Sequence, residues 1–149
     1  MSTAGPRDIQ QVIARLEGCD RTAVQWKRVD DGPVERLDVQ PAENTLCRFS
    51  IEVQAKGGRD YGFYFGHGAA FESLIHAEFD LHSVAGAVIE GMVRETVWMF
   101  GKSFVVRNEV IVTLPDARTL GDTCSILVPW LWKLAAAHDI EYRPYPMAR

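Results

Sequence analysis

His67, His76 and His82, together with Glu72, Glu78 and Asp80, fall between Gly66 and Ser83, and no other stretch is as dense in reactive side chains. Imidazoles beside carboxylates could hold a divalent metal or move protons. Their spacing matches no metal-ligand or catalytic pattern, and a site needs side chains that converge rather than residues close in sequence. If residues 69–77 form a short helix, Phe71, Leu74 and Ile75 define its apolar centre. His76 then faces solvent beside Glu72, its i, i+4 neighbour. Glu78 would return to the apolar side, so the helix breaks near Ala77. Asp80 or Ser83 caps the next helix, and His82 follows in its first turn.

His67 is the histidine that survives this dissection. It lies between Gly66 and Gly68, after a strand and before the expected helix. Glycines there permit unusual backbone angles and close approach of a ligand, and a helix amino terminus can hold an anion. Gly66, His67, Gly68 and the preceding Tyr64 therefore form the candidate ligand site. Asn108, on an otherwise apolar strand face, could orient a ligand inside a cavity or be satisfied by a neighbouring backbone group. Gly66-His67-Gly68 falls short of the dinucleotide fingerprint: the third glycine is missing and the strand belongs to a hairpin. No metal site and no cofactor are expected.

Other constellations are weaker. Cys19, Cys47 and Cys124 are odd in number and widely spaced, which fits reduced, buried thiols. No serine has a nucleophile-elbow context. Trp26, Lys27, Arg28 and Arg48 could offer an aromatic, basic surface, but Trp26 and Lys27 face opposite ways on a strand. The net charge of −4 also argues against nucleic acid or an anionic membrane as partner. Glu90, Arg94 and Glu95 read as the polar side of a helix. Trp130 and Trp132 lie 200° apart on a helix, so one is expected at the surface, at an interface or a pocket rim.

The elements that must position these residues follow from periodicity. Ile9, Val12, Ile13 and Leu16 mark a first helix, opened by Pro6 and closed by Gly18. Residues 23–29 and 34–40 read as strands around Asp30-Asp31-Gly32-Pro33. Cys47 to Ala55 alternates cleanly, turns at Lys56-Gly57-Gly58-Arg59, and returns over Asp60 to Phe65. Leu81, Val84, Ala85, Val88, Ile89, Met92, Val93, Val97 and Phe100 form one continuous helical stripe ending at Gly101. Gly86 and Gly91 inside it call for close approach of another backbone. Ser103 to Leu114 is a further strand, with a turn from Pro115. Cys124 to Val128 is either another strand or the opening of a last helix that runs from Pro129 to His138. Ile140-Glu141-Tyr142 adds a short edge strand.

With 149 residues, 47% apolar and 24% charged, the chain fits one domain, residues 1–149. The expected fold class is α+β: a curved antiparallel sheet packed against a long amphipathic helix, with N- and C-terminal helices. No apolar run approaches the roughly 18 residues needed to span a bilayer, and the first residues lack a signal-peptide core. The function expected is a small, soluble, cytoplasmic, non-catalytic module that binds a small molecule or a protein, as a homodimer. One alternative is a metal-assisted hydrolase or acid–base enzyme centred on His67. Another is an interaction or inhibitor module.

Overall fold

A computed structural model describes residues 6–30, 32–54, 61–65, 69–72, 81–102, 104–125 and 130–149. The chain order is α1 (Pro6–Glu17), β1 (Val24–Asp30), β2 (Val34–Pro41), β3 (Phe49–Gln54), β4 (Tyr61–Phe65), β5 (Ala69–Glu72), α2 (Leu81–Ile89), β6 (Val93–Phe100), β7 (Phe104–Thr113), β8 (Thr119–Ser125) and β9 (Ala136–Glu141). Strands β1 to β5 form one antiparallel meander in sequence order. The second sheet has the order β8-β7-β6-β9. Its fourth strand returns to lie beside the first, a Greek-key connection.

This corrects the expected fold class. The described residues fold as two antiparallel sheets with two short α-helices, not as one sheet on a long helix. The helical stripe from Leu81 to Phe100 is cut at Gly91, which sits at φ 75°. Gly91 N–H bonds Val88 O and Met92 N–H bonds Ala87 O, the paired bonds of a Schellman cap. Beyond it, Val93, Thr96, Val97, Trp98 and Phe100 are β-branched or aromatic and pair along β7 and β9. Val93, Glu95 and Val97 are buried in alternation, so the period is two.

The last helix also fails. A single 3-10 turn, Leu131–Leu134, passes into extended backbone at Ala135. The alanine-rich segment after it becomes β9, because pairing with β6 outweighs alanine's helix preference. The expected helix over 69–77 is likewise overturned where it is described: residues 69–72 pair with β4 as β5. The expected strands on either side of Gly32 pair as an antiparallel β1–β2 hairpin, and the helix marked by Ile9, Val12 and Leu16 forms.

One apolar core joins the layers. Ile9, Val12 and Leu16 of α1 and Val84, Ala85 and Val88 of α2 meet Leu37, Phe49, Ile51 and Phe63 of the first sheet. Val110, Val112 and Leu120 of the second sheet belong to the same cluster. Phe49, Phe63 and Phe65 stack along the inner face of the first sheet. Among the described residues the sheets meet at these seams. At one, β5 lies against β7 and β8. At another, Arg143 N–H bonds Thr45 O at 2.8 Å, tying the tail after β9 to the segment between β2 and β3. Among the described residues no helix is long and apolar enough to cross a membrane.

Candidate functional site

The second seam holds a groove lined by polar, charged and apolar side chains. Its volume is about 620 Å³, and Gln40, Pro41, Glu43, Asn44, Leu46, Arg48, Ile140 and Tyr142 line it. The end of β2 and the segment before β3 form one wall; β9 and the residue after it form the other. Arg143 fixes the spacing: its guanidinium reaches Glu43 Oε2 and Thr45 Oγ1, each at 2.9 Å. Glu43 is thereby neutralised. Arg48 is exposed and has no acidic partner among the described residues, so it is the uncompensated charge of the groove.

Behind the Tyr142 wall lies a carboxyl group on an apolar face. Register places Val110, Glu95 and Ile140 in one row across the second sheet, and Asn108, Val97 and His138 in the next. Glu95 is 0% exposed and Asn108 4%. Tyr142 Oη donates to Glu95 Oε1 at 3.2 Å, and Asn108 Nδ2 approaches Oε2 at 3.5 Å. A carboxyl group removed from water needs such donors. Burial pushes the Tyr142 hydroxyl far above its usual range, and the nearby Cys47 and Glu95 add to that shift. Tyr142 is therefore a fixed donor, not a base. Glu95, with no exposed surface, aims Tyr142 and ties β6, β7 and the end of β9 together.

Tyr142→Phe should consequently lower stability by about 2 kcal/mol, the scale of leaving a buried acceptor without its hydrogen bond. Urea denaturation measures it. A loss within ordinary surface scatter, about 0.5 kcal/mol, would show that the hydroxyl does nothing for Glu95.

The residues expected at a ligand site are placed as follows. Tyr64 is on the outward face of the first sheet, between buried Phe63 and Phe65. Its ring crosses Gly62, where a Cβ would come within 2.8 Å of it, and its hydroxyl reaches Glu52 at 3.4 Å. Asn108 faces inward on the other sheet, so these two are not brought together. Gly66, His67 and Gly68 lie outside the described residues, as do His76, Glu78 and Asp80. His82 is half-buried in the first turn of α2, and its Nδ1 has no hydrogen-bond partner among the described residues. Among the described residues no three His, Cys, Asp or Glu side chains are grouped as metal ligands would be. Family models, curated proteins and solved structures were all compared with the chain, and none matches.

The remaining candidates scatter. Arg28 pairs with Glu35, Arg21 covers Trp26 at 4.3 Å, and Arg48 lines the groove. On the outward face of the second sheet, Arg107 lies over Trp98 at 5.0 Å and Trp132 at 4.2 Å. Trp132 is thus packed, while Trp130 is 58% exposed. Sequence reasoning missed Glu95, Tyr142 and Arg48 as members of one region. A usable signal existed for Glu95: it alternates with Val93 and Val97 just as Asn108 alternates with Val106 and Val110. Nothing local links either to residues 40–48.

Proposed function

We propose that this chain is a non-catalytic binding module whose site is the groove between residues 40–48 and β9. The observation that carries the reading is the uncompensated Arg48 in a groove of about 620 Å³ with mixed walls. That volume lies within the range of small-molecule sites, and Pro41, Leu46, Ile140 and the Tyr142 ring supply apolar wall. Gln40 and Asn44 supply amides. A ligand with an anionic group for Arg48 and an apolar body fits these walls.

An acid–base enzyme draws less support. The buried carboxyl of Glu95 has no exposed surface with which to meet a substrate, and Tyr142 holds its proton tightly. The version centred on His67 involves residues outside those described. A cytoplasmic homodimer remains part of the proposal, and the exposed Trp130, Leu134 and Phe104 favour self-association. Sedimentation across a concentration series tests that part, and a strictly monomeric mass removes it.

For the site itself, amide and side-chain NMR shifts should be followed while small carboxylates, amino acids and short peptides are titrated. Resonances of Gln40, Asn44, Arg48 and Ile140 should move together, and Arg48→Ala should weaken the response about tenfold. If all three ligand classes leave these resonances still, the groove is not the site.

A further inference from the structure

The geometry points to a more specific mode at this groove: an extended peptide segment adds to the edge of β9 that is unpaired among the described residues, and pairs with it as a further antiparallel or parallel strand. The inference rests on the groove being the binding site.

The backbone shows which groups are open. Tyr142 N–H bonds Val93 O at 3.5 Å, so residues of even number in β9 direct their N–H and C=O toward β6. Those of odd number, Ala137, Asp139 and Glu141, point the other way. Arg143 continues that odd series, and its N–H is met by Thr45 O at 2.8 Å. Thr45 therefore already supplies the first rung of an added strand. Beyond it, Glu141, Asp139 and Ala137 have no backbone partner on that side among the described residues. An edge of this kind is a template for another chain.

The side chains say what that chain would carry. A residue set beside Ile140 extends the row Val110, Glu95, Ile140 and projects into the groove, where Pro41 and Leu46 provide apolar wall. An apolar residue fits there. Arg48 lines the same groove, so a carboxylate on an inward position complements it. Outward positions lie beside exposed Glu141, which has no charged partner among the described residues, so a basic residue suits them. The occupant is thus an extended peptide with apolar and acidic residues on one face and basic residues on the other. A second copy of β9 is a poorer match, because it would bring Asp139 and Glu141 against their own kind.

The test uses the full chain and a short peptide of alternating lysine and valine with one valine replaced by glutamate. Amide hydrogen exchange should slow at Ala137, Asp139 and Glu141 when the peptide binds. N-methylation of the peptide's alternate amides that face β9 should abolish binding. Arg48→Ala should weaken binding about tenfold, the scale of one charge-assisted hydrogen bond. Glu141→Pro, which removes an outward N–H and leaves the bonds to β6, should weaken it further, with exchange then read at Ala137 and Asp139. If the peptide or a small carboxylate shifts Arg48 and Ile140 without slowing those amides, strand addition is overturned while the groove stands as a binding site. Absence of any response to peptide and to small ligands overturns both. Slowing that depends on protein concentration without peptide assigns the edge to a second copy and overturns the peptide.

Discussion

Replacing Gly91 with alanine should cost about 3–4 kcal/mol, the largest loss expected from an added methyl group at any of the described glycines. Two separate effects add. Gly91 sits at φ 75°, where a side chain costs roughly 1–2 kcal/mol. A Cβ there would also meet Pro144 N at 2.5 Å and Arg143 C at 2.6 Å, both backbone atoms. Neither can swing aside, because Arg143 N–H is held by Thr45 O and Tyr145 N–H by Ile89 O. Gly101 provides the control. It lies at φ 64° with nothing within 4 Å of an added Cβ, so Gly101→Ala should cost only about 1 kcal/mol once the stiffer unfolded chain is credited. Urea denaturation of both variants separates conformational strain from the clash. Equal losses would refute the packing role of Gly91. The same substitution should also loosen the groove, since the backbone it displaces carries Arg143.

Stability should fall steeply in alkali. Burial raises the hydroxyl pKa of Tyr145 and of Tyr142 far above the ordinary tyrosine range, with neighbouring Cys47 adding to both. The phenol of Tyr145 is 3% exposed and donates to Cys47 O. Above about pH 10 the unfolded chain loses these two protons while the folded chain keeps them. The unfolded state then binds fewer protons, so the free energy of unfolding decreases as pH rises. The contribution is complete below pH 10 and drains away above it. The limiting slope is about 1.4 kcal/mol per pH unit for each tyrosine, somewhat less for the partly exposed Tyr142. Cys19, raised by burial against the lowering effect of Arg15, adds the same sign from the ordinary thiol range upward. Urea midpoints measured from neutral to alkaline pH should show the decline, and Tyr145→Phe should flatten it. A profile level through pH 11 would contradict the burial of both hydroxyls.

Much of the strand content is legible from alternation and turn chemistry. Asp30-Asp31-Gly32-Pro33 separates β1 from β2, and Phe49, Ile51 and Val53 define the buried face of β3. Asn108 stands out on its strand as a polar residue among apolar ones and is indeed buried, beside Glu95. The stripe from Leu81 to Phe100 misleads because residues chosen for a strand after Gly91 also fall on a helical period. Val93 and Val97 satisfy both patterns. What separates them is the positive φ at Gly91 and the partners offered by β7 and β9. The Gly66–His82 stretch, rich in reactive side chains, lies mostly outside the described residues, and its β5 portion is a strand.

By itself, the sequence determined the local elements whose signals are complete within a few residues: the α1 stripe, the β1–β2 turn, the alternating β3 and β7. Those depend on backbone preference and on which side each residue faces. Tertiary structure decided everything that depends on a distant partner. It turned the alanine-rich segment into β9 by offering the edge of β6, placed Glu95 under Tyr142 from 47 residues away, and brought Arg48 into a groove with Ile140. Such pairings carry no local pattern, because the energy that selects them comes from hydrogen bonds and burial formed only when the two segments meet.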